Sequence, residues 1–336
     1  MHMSDALISV AVGGSMAGVS TAAIGYSVKQ LGKMELEEKK IPMMGVMGAF
    51  VFAAQMINFT IPATGSSGHI GGGILLAALL GPFPALITLA SVLLIQCLFF
   101  ADGGLLALGC NIFNMGVITC FIAYPLIYKP FVKKNMTPKR ITIAAILASV
   151  VGLQLGSFAV VLETYISGVT ELPFTAFLTL MQPIHLAIGV VEGIITAAVL
   201  TFIYGIRREI LTDAIGDTKG NSFSMKKVII ILGILAVLIG GVFSLFASSN
   251  PDGLEWSIQG VVGSDELQTD STVHDTVQSI QTKTSILPDY SIKGNENATV
   301  GTQVSGLFGG LITLVTVSIL GVIIVYYKKR KIQRLR

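Results

Sequence analysis

Apolar residues gather in nine runs, at about 6–28, 42–60, 70–81, 83–101, 104–128, 141–165, 185–206, 228–248 and 304–327. A helix needs about 20 residues to cross a hydrocarbon core of about 30 Å. The pattern therefore predicts an all-α polytopic membrane protein. The third run is the exception. Residues 69–81 would make a helix of about 20 Å, too short to face lipid alone. They predict a half-helix shielded by its neighbours, with Gly81-Pro82-Phe83-Pro84 turning into the fourth span. Short segments interrupted by Gly and Pro and buried in protein are where membrane transporters tend to keep substrate sites.

Composition supports this class. Hydrophobic residues make up 52% of the chain and charged residues 12%, against about 25% charged in soluble domains. Twenty of the 22 Lys and Arg fall in four segments, at 29–40, 129–140, 207–227 and 328–336. The positive-inside rule places all four in the cytoplasm, as in the plasma membrane of a prokaryote. Counting every run as a crossing puts the N-terminus outside and the C-terminus inside. The first 28 residues hold no Lys or Arg, so they lack the positive n-region of a cleaved secretory signal, and Met1 is expected to stay. Cys97, Cys110 and Cys120 are odd in number and form no C-x-x-C. They read as small apolar packing residues rather than a disulfide or zinc framework.

The start of the chain carries candidate chemistry. The Met1 amine, the His2 amide nitrogen and the His2 imidazole can close two fused rings around one cation. A planar all-nitrogen set suits Ni(II) or Cu(II), and low-spin cobalt, rather than Mg or Ca. The topology puts the loop Gly65-Ser66-Ser67-Gly68-His69 on the same outer side, where His69 would add a fourth nitrogen and complete a square. His185, opening the seventh span outside, is the rival for that position.

These residues resemble a known family. The Met-His start, Phe52-Ala53-Ala54-Gln55-Met56-Ile57-Asn58-Phe59, Gly65 to His69, and Phe100-Ala101-Asp102-Gly103-Gly104 are part of the match. Leu108-Gly109-Cys110-Asn111-Ile112-Phe113-Asn114-Met115-Gly116 and His185-Leu186-Ala187-Ile188-Gly189-Val190-Val191-Glu192-Gly193 complete it. Together they resemble the substrate-specificity (S) component of cobalt/nickel energy-coupling-factor transporters, the CbiM/NikM type, over about residues 1–220. The remainder, with Pro251-Asp252-Gly253-Leu254-Glu255, resembles the two-helix accessory subunit of the nickel branch, fused here to the first. The resemblance implies a seven-helix bundle in 1–220, two further spans in 221–336, and a metal on Met1, His2 and His69. It also implies partners: a transmembrane scaffold subunit and a separate pair of ATPases. Gly45, Ala49 and Ala53, spaced every four residues, would let a scaffold helix approach closely. The ion is substrate, Ni2+ or Co2+, the latter for cobalamin synthesis. The fused accessory segment points to nickel. No organic cofactor and no nucleic acid is implied.

Other polar residues sort around this site. Gln55, Asn58, Asn111 and Asn114 lie near the outer ends of their spans and, with Ser66, Ser67 and His185, are expected to support the ligands. Glu192 lies two turns deeper, with no Lys or Arg in any span to pair with it, and intramembrane carboxylates are functional candidates. The stretch 250–303 holds eight acids, two lysines and many Ser, Thr and Asn. It reads as a flexible solvated loop, and its Asn297-Ala298-Thr299 fits the glycosylation pattern.

No G-x-x-x-x-G-K-[ST] occurs, so this chain brings no P-loop of its own, and the expected role is non-enzymatic. One alternative is a gradient-driven secondary carrier with Glu192 as coupling residue. A hydrolase using Ser66 or Ser67 with His69 or His185 lacks a nearby orienting acid.

Overall fold

The computed structural model describes residues 1–33, 40–216, 225–264, 267, 271–292 and 298–334. Of the charged and polar positions counted or named above, Lys39, Lys219, Asp265, Glu266, Asp270, Lys293, Glu296, Asn297 and Arg336 lie outside the described residues. The chain is helical almost throughout. After a short turn at Asp5–Leu7 come α1 (Val10–Lys33), α2 (Lys40–Gln55), α3 (Gly73–Leu80), α4 (Pro82–Phe100) and α5 (Leu108–Lys133). Then follow α6 (Pro138–Ser167), α7 (Phe174–Ala214) and α8 (Lys226–Gly241). The last three are α9 (Gly253–Val262), α10 (Thr272–Thr284) and α11 (Ala298–Arg334). Among the described residues, α4, α5, α6, α7 and residues 300–328 of α11 are long and apolar enough to cross a membrane.

The third run forms the half-helix α3, whose eight residues are all buried. At about 1.5 Å per residue it is about 12 Å long, so only surrounding protein satisfies its ends. Gly72 (φ +75°) starts it, and Gly81 (φ +84°) lets the chain reverse. Pro82 then opens α4, where its missing N–H costs nothing.

Two expectations are corrected. The second run, read as apolar to residue 60, ends as helix at Gln55, and Phe59–Thr60 pairs antiparallel with Ser67–Gly68. Pro62 disfavours a helical residue before it, and Phe59 stays apolar because it packs on the core. The stretch 250–303 contains two helices, α9 and α10, rather than only flexible loop. Asp252 and Glu255 form a reciprocal capping box that starts α9. His274 ties α10 to the start of the chain through the carbonyls of Asp5 and Ile8, at 3.1 and 2.9 Å.

The small-residue stripe on α2 faces inward. A Cβ at Gly45 would stand 3.0 Å from the Leu314 carbonyl oxygen, and one at Gly48 would stand 3.1 Å from Thr313 Cγ2. Both partners belong to α11. Ala49 and Ala53 are 5% and 1% exposed. In lipid, close backbone approach through small residues takes over from the hydrophobic effect as the force between helices, and here α11 itself exploits it. Gly240 of α8 and Gly306 of α11 make a second such crossing.

Close packing also locks α1 to the first turn of α5. A Cβ at Gly109 would fall 2.4 Å from the Ala17 backbone nitrogen, whereas Gly14 has nothing within 4 Å. Gly109→Ala should destabilise the detergent-solubilised chain by ~1–3 kcal/mol through overpacking, read as a lower thermal midpoint. Gly14→Ala should hold or raise that midpoint, since alanine is the better helix former by about 1 kcal/mol.

Candidate metal centre

The N-terminal segment runs into the end of the bundle where α2 and α4 finish and α5 begins. Met1, Met3, Leu7 and Ile8 are buried. Asn111 grips Met3 from both sides: its Oδ1 accepts from the Met3 amide at 2.8 Å and its Nδ2 donates to the Met3 carbonyl at 3.1 Å. The Gly104 amide donates to that same carbonyl at 2.8 Å. Asn114 donates to Glu163 at 2.7 Å and lies 3.6 Å from Met3 Sδ. These contacts fix the residue after His2, and so fix the first two.

The Met1 amine ends between two groups, 3.1 Å from His69 Nε2 and 2.6 Å from Asp252 Oδ2. His69 Nδ1 faces the Ile70 carbonyl at 3.1 Å. A carbonyl only accepts, so the proton sits on Nδ1 and Nε2 presents its lone pair to the amine. The His2 ring stacks on His69, with centroids 5.0 Å apart and planes at 12°, while its Nδ1 lies 3.2 Å from Asp102 Oδ1. Of the four expected donors, then, the amine and His69 Nε2 are in contact, and the His2 ring is held on Asp102.

Both imidazoles are nearly buried, at 7% and 9% side-chain exposure. Burial, reinforced by the Met1 ammonium, lowers each from 6.5 to about 3, so both stay neutral and able to donate lone pairs at neutral pH. Burial raises Asp102, although the Tyr290 hydroxyl hydrogen-bonds to it. Burial is the largest single influence on Asp252 and works to raise it, but the Met1 ammonium, His69 and the hydrogen bonds from the amine and the Glu255 amide together hold that carboxyl below its usual range.

The loop carrying His69 is set by its own polar residues. Ser67 donates to the Pro251 carbonyl through its amide at 2.8 Å and to the Asn250 carbonyl through its hydroxyl at 2.7 Å. The Ser66 hydroxyl reaches the Ser67 and Pro251 carbonyls. Below His69, Glu192 accepts the amides of Gly71 and Gly72, each at 3.0 Å, and Gln55 Nε2 donates to the Gly71 carbonyl at 2.9 Å. A carboxylate is thus placed at the start of α3, where helix amides and the macrodipole favour negative charge. The Asn58 main-chain carbonyl accepts the Ser248 amide at 2.7 Å. His185 donates Nδ1–H to the Met181 carbonyl at 2.8 Å. Its Cε1 lies 3.1 Å from where a Cβ on Gly253 would stand, beside a small cavity lined by Met1, His69 and Asp252.

Four residues at the site escaped the sequence reading. Asp252 stood in the Pro251–Glu255 motif, which carried no role at the metal site. Asp102 lay within a motif without an assigned role. Glu163 sat unremarked at the outer end of an apolar run. Tyr290, which reaches Asp102 and stacks on Phe100 at 5.1 Å, carried no local signal. Together with His274 they show that both parts of the chain build the site. A cleft of about 840 Å³ opens onto it, lined by His2, His69, Asp102, Asp252, Glu255 and Asp289 among others, with no Lys or Arg among the described lining residues.

A bundle of membrane-crossing helices with a buried, nitrogen-rich, acid-rimmed pocket at one end defines a polytopic membrane protein with a candidate site for a small cation. The chain belongs to the family described as the cobalt uptake substrate-specific transmembrane region, which matches residues 2–210, and residues 226–326 match the PDGLE domain. It is 31% identical, over 94% of its length and 96% of the relative's, to a protein of Archaeoglobus fulgidus that carries the name fused nickel transport protein NikMN. It is 26% identical to the cobalt transport protein CbiM of Geobacter sulfurreducens, over 71% of this chain and 70% of that one. A crystal structure of a transition metal transporter superposes with a TM-score of 0.55 at 29% identity, covering 62% of this chain and 95% of that one.

The geometry ranks the substitutions. In a titration with Ni(II) or Co(II), His69→Ala should weaken binding by more than about 10–100-fold, the range for supporting residues, and His185→Ala by clearly less. Glu192→Ala should weaken it through the Gly71–Gly72 amides. In a His69→Ala background the Glu192 change should add little, because one acts through the other. Full additivity would detach Glu192 from His69.

Proposed function

We propose that this chain is the substrate-binding membrane component of an ATP-dependent energy-coupling-factor transporter that imports Ni2+ or Co2+. The ion is held near-square-planar by the Met1 amine, the His2 amide nitrogen, the His2 imidazole and His69. The observation that carries this reading is the 3.1 Å approach of the Met1 amine to His69 Nε2, 68 residues apart, inside a buried pocket. Neutral imidazoles and an amine form the donor set that first-row cations of the cobalt-to-copper group prefer. The names of the relatives, which include nickel and cobalt transport, point the same way.

The chain brings no P-loop, so ATP hydrolysis falls to separate subunits acting through a scaffold. Gly45, Ala49 and Ala53 remain the proposed scaffold contact, and a scaffold helix reaching them has α11 to displace. In the competing reading, a gradient-driven carrier, Glu192 would shuttle protons. Its two oxygens are instead committed to the Gly71 and Gly72 amides, which favours a supporting role.

Two measurements test the proposal. Adding one residue before Met1 replaces the terminal amine with an amide and should abolish tight Ni(II) or Co(II) binding while leaving the helical content intact; equal binding by the extended chain would discard the chelate. Vesicles holding this chain alone should show no metal uptake under a proton gradient, and uptake should appear when the scaffold and ATPases are supplied with ATP. Robust gradient-driven uptake by the chain alone would establish the carrier.

A further inference from the structure

Three atoms of the metal-free site stand in a cation-sized arrangement. Met1 N and His69 Nε2 are 3.1 Å apart, Met1 N and Asp252 Oδ2 are 2.6 Å apart, and His69 Nε2 and Asp252 Oδ2 are 3.9 Å apart. The point equidistant from all three lies about 2 Å from each, within the metal–nitrogen and metal–oxygen range of about 2.0–2.2 Å. It falls almost on the line between the His69 nitrogen and the Asp252 oxygen. The two are therefore nearly opposite one another across that point, with the amine to the side. This is three corners of a square.

The frame is held by backbone rather than chance. Ser67, two residues before His69, donates its amide to the carbonyl of Pro251, the residue before Asp252. Asp252 Oδ1 is spent on the amides of Leu254 and Glu255, at 2.8 and 2.9 Å, and Glu255 Oε2 accepts the Asp252 amide at 2.9 Å. That leaves Oδ2 alone to face the amine. Meanwhile the His2 ring, a donor of the proposed final site, is held by Asp102.

Resting on the proposed metal-capture function, we propose that Asp252, from the accessory part of the chain, is a metal donor of a first landing site made with the Met1 amine and His69 Nε2. In the final all-nitrogen plane the His2 amide nitrogen stands opposite His69. As the metal enters, the Met1 ammonium gives a proton to solvent. Asp252 then holds the corner opposite His69, and water the fourth, until His2 leaves Asp102. The His2 amide, losing its proton to solvent, then replaces the carboxylate oxygen, and the His2 imidazole replaces the water. The accessory segment thus contributes an atom to capture and none to the finished complex.

The test uses the full chain in detergent, mixed rapidly with NiCl2 and followed by quenching of Trp256, the chain's one tryptophan, whose indole is anchored on the Thr64 carbonyl at 3.0 Å. Asp252→Asn keeps a helix cap of equal quality but loses the anionic oxygen donor. Its association rate should fall at least tenfold, on the scale that supporting changes have at metal sites, while the visible absorption of the final nickel complex stays unchanged. Asp275→Asn removes an equal charge from the same cleft without touching the donor or its cap, and should load at close to the native rate. An Asp252→Asn chain that loads as fast as the native one overturns the proposal. So does Asp275→Asn slowing as much as Asp252→Asn, which would make the effect one of overall charge. A native chain that binds neither Ni(II) nor Co(II) removes the metal-capture reading as well, whereas native binding with no Asp252 effect removes only this inference.

Discussion

The buried Met1 amine is the constraint around which one end of this molecule is arranged. A chain terminus carries charge and ordinarily lies in water; taken inside without partners, it would be strongly unfavourable. Here it meets a carboxylate oxygen at 2.6 Å and an imidazole lone pair at 3.1 Å. Each partner comes from a different part of the chain, and each needs its own support. Asn111 and Gly104 hold the N-terminal strand, Ser67 joins the His69 loop to the Pro251 backbone, and the capping box fixes Asp252. The N-terminal strand, the loop after α2 and the start of α9 therefore converge on one atom.

The same logic explains why a helix too short to cross a membrane is kept in the middle of the bundle. α3 begins four residues after the loop's histidine and ends at a glycine that reverses the chain. Its exposed amides at one end would be costly in a low-dielectric interior. Glu192 satisfies two of them from a neighbouring helix, and the intramembrane carboxylate is in turn accommodated by those amides. Each solves the other's desolvation. As a by-product, the backbone just beyond His69 is held with little freedom.

Much of this was readable in the chain. Run lengths and basic segments identify a helical membrane protein, and the run at 70–81 is visibly too short to span alone. Met1, His2 and His69 are brought together by a topology count, and the structure places the amine and His69 side by side. What stayed hidden depended on distance along the chain. Asp252 lies 251 residues from Met1 and Tyr290 lies 188 from Asp102, and no local pattern links such pairs. The stretch 250–303 read as loop because polar composition describes how much a segment can bury, whereas α9 and α10 need only a cap and one docked face. The stripe on α2 announced that a helix would come close. It carried nothing about which helix, because small residues accept any partner of suitable shape.

That last feature changes what docking on α2 would mean. A helix tethered to its own binding face competes at an effective concentration of about millimolar or more when the connection spans the gap well. A partner helix that reaches Gly45 does not add to an empty groove. It exchanges with α11, and the free energy of that exchange is the difference between two similar packings, small compared with either alone. A joint built this way is readily made and readily unmade.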